Sequence, residues 1–159
     1  MPCQIASFWL VALLMLYRLT ISEDNEMKKI LLVEDDEQCL KMLAHIIRHL
    51  GYEVVVTDSR LNAPARAALE QPNLVFISLD FPEMRGLDVI VSLKNNPQAS
   101  HIPILVYPPW DSEEGTEAAV KAGAAEVLKE PFTLESFRQA LHKHAPNEIG
   151  FRSAVHSLQ

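Results

Sequence analysis

The first three of four consecutive acids, Glu34-Asp35-Asp36, stand directly after the apolar run Ile30-Leu31-Leu32-Val33. Carboxylates gathered at one strand end suit a hard cation such as Mg²⁺, which takes one or two of them and completes its shell with water. The same acids also suit the start of a helix. There a side-chain oxygen caps free backbone N–H groups, and negative charge complements the helix dipole. The triplet alone supports both readings. Other chemistries find less support. No Cys/His cluster has zinc-ligand spacing, and the six histidines are scattered. Cys3 and Cys39 are too few for a disulfide framework and fit reduced thiols. No glycine-rich phosphate loop follows a strand, which leaves a flavin- or nucleotide-binding enzyme as a remote alternative.

The bulk properties narrow the partners. A chain of 159 residues suits one domain with some excess, and 48% hydrophobic residues support a core. The net charge of −7 argues against a sequence-independent nucleic-acid binder, which needs a basic stripe to neutralise phosphates.

From Lys28 onward, strand and helix patterns alternate. Ile30–Val33 reads as a strand buried on both faces. Asp36 is placed to cap a helix whose Leu40, Leu43, Ile46, Ile47 and Leu50 share one face, and Gly51 falls just past its end. Tyr52 to Val56 is β-rich. A helix is expected from about Asn62 to Glu70, with Pro64 tolerated in its first turn. Leu74–Leu79 is a third strand, followed by a short helix after Gly86. Ile104–Tyr107 is a fourth strand, 112–122 an Ala-rich helix ending at Gly123, and Glu126–Lys129 a fifth strand. Thr133 caps a last helix carrying Leu134, Phe137 and Leu141. Five strands alternating with five helices imply a doubly wound parallel α/β sheet with helices on both faces. In such sheets the site lies beyond the carboxyl ends of the strands.

The strand ends carry a resemblance. The run Ile30 to Glu37 resembles the opening of the response-regulator receiver family. Pro72 to Gly86 resembles its third strand and following loop, and Gly123 to Phe132 its fifth strand and turn. The likeness covers 28–142 without an evident gap. It implies a five-stranded flavodoxin-like sheet of order 2-1-3-4-5 and a role in two-component phosphorelay signalling.

Carried over position by position, the resemblance implies a degenerate site. The metal-binding acid pair falls on Glu34 and Asp35. The phosphoacceptor aspartate falls at Ser78, the switch Ser/Thr at Pro108, the lysine at Glu130 and the aromatic switch position at Val127. Aspartyl phosphorylation needs a carboxylate nucleophile, and a serine hydroxyl is weak without an adjacent base. A cation normally stabilises the transferred phosphoryl group, which Glu130 would repel. Pro108 has neither a hydroxyl nor a backbone N–H. The expectation is a stand-alone, non-enzymatic pseudo-receiver working through protein–protein contacts, with no catalytic residue. The alternative is a receiver still phosphorylated at Asp80 or Ser78 in an atypical geometry. Asp80, two residues past Ser78, shares its strand side and is a third candidate metal ligand. Lys129, one residue from Glu130, points to the other side by alternation and is a poor substitute cation. No cofactor is required, and a weak Mg²⁺ site is compatible with the acids. The family likeness also implies a cis Glu130-Pro131 bond.

Partners are expected among histidine kinases or other signalling proteins, through the face of the fourth and fifth helices, with a homodimer as a further arrangement. Trp110, in the proline-stiffened loop Tyr107 to Asp111, is the candidate anchor. The domain is expected over 27–144, with a frayed tail over 145–159. Residues 1–26 form an apolar extension, either a misplaced start or a membrane anchor. Its uninterrupted apolar run is shorter than the roughly 20 residues that span a bilayer. A cytoplasmic domain is expected in both cases, tethered to the membrane in the second.

Overall fold

A computed structural model describes residues 26–57, 61–78, 86–107, 113–129, 131 and 133–147. Five strands, β1 (Lys29–Val33), β2 (Glu53–Thr57), β3 (Leu74–Ser78), β4 (Ile104–Tyr107) and β5 (Glu126–Val127), form one sheet of order β2-β1-β3-β4-β5. Every pairing is parallel. The connections contain helices α1 (Glu37–His49), α2 (Ala63–Glu70), α3 (Gly86–Asn95) and α4 (Glu113–Ala122), and α5 (Leu134–His144) follows β5. This is the flavodoxin-like architecture that the strand–helix alternation and the family likeness imply.

Strand alternation divides the core in two. Leu31, Val33, Val75, Ile77, Ile104 and Val106 face α2, α3 and α4, where Ala67, Ile90, Leu93 and Ala119 meet them. Ile30, Leu32, Leu74, Phe76 and Leu105 face α1 and α5, against Leu43, Ile47, Phe137 and Leu141. Phe76 and Phe137 pack with ring centroids 5.1 Å apart, in a tilted arrangement favoured by the ring quadrupoles. All five residues of β3 are buried, so this strand is apolar on both faces up to Ser78.

Local chemistry sets the helix limits. The Asp36 carboxylate accepts from the Cys39 N–H at 2.7 Å and starts α1. Gly51, at φ 87, turns the chain out of α1 into β2, a conformation few other residues adopt without strain. Thr133 and Ser136 exchange capping hydrogen bonds at the start of α5.

Two expectations need correction. The fifth strand spans Glu126–Val127 rather than Glu126–Lys129, although the Leu128 N–H still donates to the Val106 carbonyl at 2.8 Å. The tail expected to fray from residue 145 is docked at its start. Ala145 and Asn147 are buried. The Tyr52 hydroxyl donates to the Ala145 carbonyl at 3.0 Å, and the Asn147 amide donates to the Gly51 carbonyl. Two buried polar groups therefore find partners that the sequence pattern does not reveal. Among the described residues, no helix is long and apolar enough to cross a membrane.

Candidate functional site

The carboxyl edge of the sheet gathers Glu34, Asp35, Ser78 and Thr57. Val33 of β1 stands beside Ile77 of β3, so Glu34 and Ser78 are the next residues in register. Both share the side taken by Leu32 and Phe76. They meet as a hydrogen-bonded pair of side chains, with Glu34 4% and Ser78 2% exposed. Glu34 Oε1 also accepts from the Asp36 backbone N–H at 3.0 Å. Its own N–H donates to the Thr57 carbonyl at 3.3 Å, extending the β1–β2 ladder by one residue. Thr57, also buried, is a member of this edge that motif matching does not single out. Its position at the end of β2 is the only sequence signal for it.

Burial pushes the Glu34 carboxyl above its ordinary value. The Asp36 N–H and Ser78 oppose that rise, while Asp35 reinforces it. Among the described residues, no cation acts on Glu34. The three acids thus have three roles. Glu34 is interior. Asp35 is exposed, at the mouth of a groove shared with Asn62 and Arg66. Asp36 is the helix cap, and its bonds to the backbone of Cys39 hold it below the usual carboxylate range. No group of three His, Cys, Asp or Glu side chains among the described residues is arranged to hold a metal ion.

Other expected positions lie elsewhere or outside the described residues. Val127 is half-buried in β5, paired with Val106 and packed on the α2–α4 side of the core. Lys129 is exposed in a groove between β5 and α5, beside Glu126 and Lys143. Asp80, Pro108, Trp110 and Glu130 lie outside the described residues, as do the Glu130-Pro131 bond and the segments 1–25 and 148–159.

An acidic carboxyl edge on a parallel 2-1-3-4-5 sheet with this helix arrangement defines a receiver-type signalling domain. Residues 30–142 match the response regulator receiver domain, and the chain belongs to that family. It is similar to the polar-differentiation response regulator DivK of Brucella ovis, with 28% identity over 118 residues, covering 74% of this chain and 95% of DivK. Its fold is similar to that of the chemotaxis protein CheY4 of Vibrio cholerae, at a TM-score of 0.68 and 25% identity, covering 75% of this chain and 99% of that one. The receiver domain of a sensor histidine kinase from Pseudomonas aeruginosa has the same fold. Its TM-score is 0.67 at 20% identity, over 75% of this chain and 98% of that domain, and it carries a magnesium ion in its active-site cleft. The chain is thus a receiver domain of two-component signalling, a class that works through contacts with signalling proteins such as kinases.

Proposed function

We propose that this receiver domain signals without being phosphorylated, as a binding module rather than an enzyme. The observation that carries the reading is Ser78. It ends the central strand, buried and hydrogen-bonded to Glu34, at the position where the family's motif puts the phosphoacceptor carboxylate. Aspartyl phosphorylation uses a carboxylate nucleophile, and a buried serine hydroxyl at the same place is a different and weaker group. Pro108 and Glu130, at the positions of the switch hydroxyl and the lysine, remove the other groups that would hold a phosphoryl group.

The acids fit Mg²⁺ in part. Glu34 and Asp35 would supply two oxygen ligands, with Asp80 as a third. Glu34 is buried and already accepts the Asp36 N–H, so one of its oxygens is engaged. Binding should therefore be weak, and the ion would supply only charge neutralisation at the edge. Contacts with a histidine kinase or another signalling protein run through the α4–α5 face, with Trp110 as anchor. The domain acts in the cytoplasm.

The test is incubation of the whole chain with acetyl phosphate or beryllofluoride and Mg²⁺, followed by intact mass and amide NMR. The expected result is no phosphoryl adduct and no shift beyond that of Mg²⁺ alone. An adduct mapped to Ser78 or Asp80 would overturn the reading and establish an atypical phosphorylated receiver.

A further inference from the structure

β2 is an edge strand, paired with β1 alone. The Glu53 N–H donates to the Lys28 carbonyl, and the Thr57 carbonyl accepts from Glu34. Residues 53, 55 and 57 therefore turn their backbone groups inward, and Val54 and Val56 turn theirs to the open edge. Such an edge is a template for added chain. Here it opens between α1 and α2 into a groove of about 810 Å³, whose walls include Leu40, Val56, Ala65 and Leu69, with Asp35 and Arg66 among its charged groups. Leu69 is 76% exposed, so among the described residues nothing covers this apolar strip with its charged rim.

The last described residue stands at the foot of this edge. Asn147 is buried and bonded to Gly51, two residues before β2 begins. Asn147 thus stands beside the start of the edge strand. In the segment 148–159, Phe151, Ala154, Val155 and Leu158 recur at i, i+3, i+4 and i+7, the spacing of one helical face. Arg152 lies at the flank of that face and His156 opposite it.

We infer that residues 148–159 fold back over the open edge and seat that apolar face in the groove between α1 and α2. The reach is sufficient. From Gly51 to Val56 along the strand is about 17 Å at roughly 3.3 Å per residue. Residues 148–150 extended cover about 10 Å, and 151–158 as a helix about 12 Å. The bonds at Ala145 and Asn147 fix the start of the segment. Docking is then intramolecular, at a high effective concentration, and modest contacts suffice. The rim favours this occupant over the apolar stretch 5–17. The groove carries Asp35, Glu37, Lys41 and Arg66. The tail brings Glu148 and Arg152 to meet them, whereas 5–17 has no charged side chain. That stretch also enters through Glu26 and Met27, both exposed, rather than through a buried anchor.

The test is NMR on the whole chain, comparing it with the double variant Val155→Asp/Leu158→Asp. Expected are methyl contacts from Leu158 to Leu69 and Val56, independent of concentration. In the double variant those contacts vanish, and amide shifts change at Val56, Ala65 and Leu69 while β3 is unchanged. Groove contacts from residues 5–17, contacts that appear only between differently labelled copies, or an unaltered groove in the double variant would each overturn the proposal.

Discussion

Glu34 sets its carboxyl where burial disfavours a charge, and that has a measurable cost. Its folded pKa lies above the ordinary 4.5 because burial disfavours the anion. The folded state therefore holds the proton more tightly than the unfolded chain. The contribution is fully favourable below about 4.5, and stability is lost as pH rises through the elevated value. Glu34→Gln should flatten that slope, as urea unfolding measured from pH 4 to pH 8 would show. The substitution Ser78→Asp is the converse case. It sets a second buried carboxylate against Glu34, so the metal-free protein should lose roughly 1–3 kcal/mol. The same variant should bind Mg²⁺ at least about tenfold more tightly, because the added oxygen serves a hard cation. Titration calorimetry and urea unfolding with and without Mg²⁺ would check both halves. At this scale the sequence was legible in part. The run of adjacent acids is visible at once, but the division of Glu34, Asp35 and Asp36 into an interior acid, a groove acid and a cap depends on strand parity and on where β1 stops. Capping falls to Asp36 alone, while Glu34 turns inward and Asp35 faces the groove.

At the scale of elements, the end of α5 illustrates what patterning misses. Ala145 and Asn147 look like the start of a solvated tail because no apolar period runs through them. Ala145 packs into the α1–α5 side of the core, and two long-range hydrogen bonds, to Tyr52 and Gly51, hold this segment in a way that no local pattern encodes. Burial also pushes the Tyr52 hydroxyl up to about 12, so it is a donor throughout the neutral range. Tyr52→Phe should leave the Ala145 carbonyl unpaired and reduce stability by about 1 kcal/mol. The effect should appear in thermal unfolding, and amide exchange at Ala145 should quicken. The helix limits were readable because their signals are local. Asp36 and Thr133 cap as their positions suggest, and Gly51 supplies the turn. The fifth strand was read two residues too long, since Leu128 and Lys129 continue its pattern while the pairing with β4 closes at the bond from the Leu128 N–H to Val106.

For the whole molecule, the two-sided core follows from alternation in the strands and a single apolar stripe on each helix. Both are periodic signals that survive without knowledge of the partner. The order of the strands is not periodic. It came from the family likeness and agrees with the observed pairings. Stability should be graded across the sheet. Amides of β1 and β3, flanked on both sides and buried, should exchange most slowly, while those of the edge strands β2 and β5 open earlier. Native-state hydrogen exchange would check that order, and slowest exchange in β5 would contradict it.

The same pairings govern the order of events in time. Ile30 is among the first of the sheet residues to be made, yet its neighbours are Val54 on one side and Leu74 on the other. No hairpin shortens that wait, because every connection crosses the sheet before the next strand returns. The chain should accordingly fold more slowly than a helical bundle of its length. During synthesis β1 is a bare apolar strand until β2 and then β3 emerge. That interval, set by the pace of translation, is when this sequence is most open to aggregation and to a chaperone.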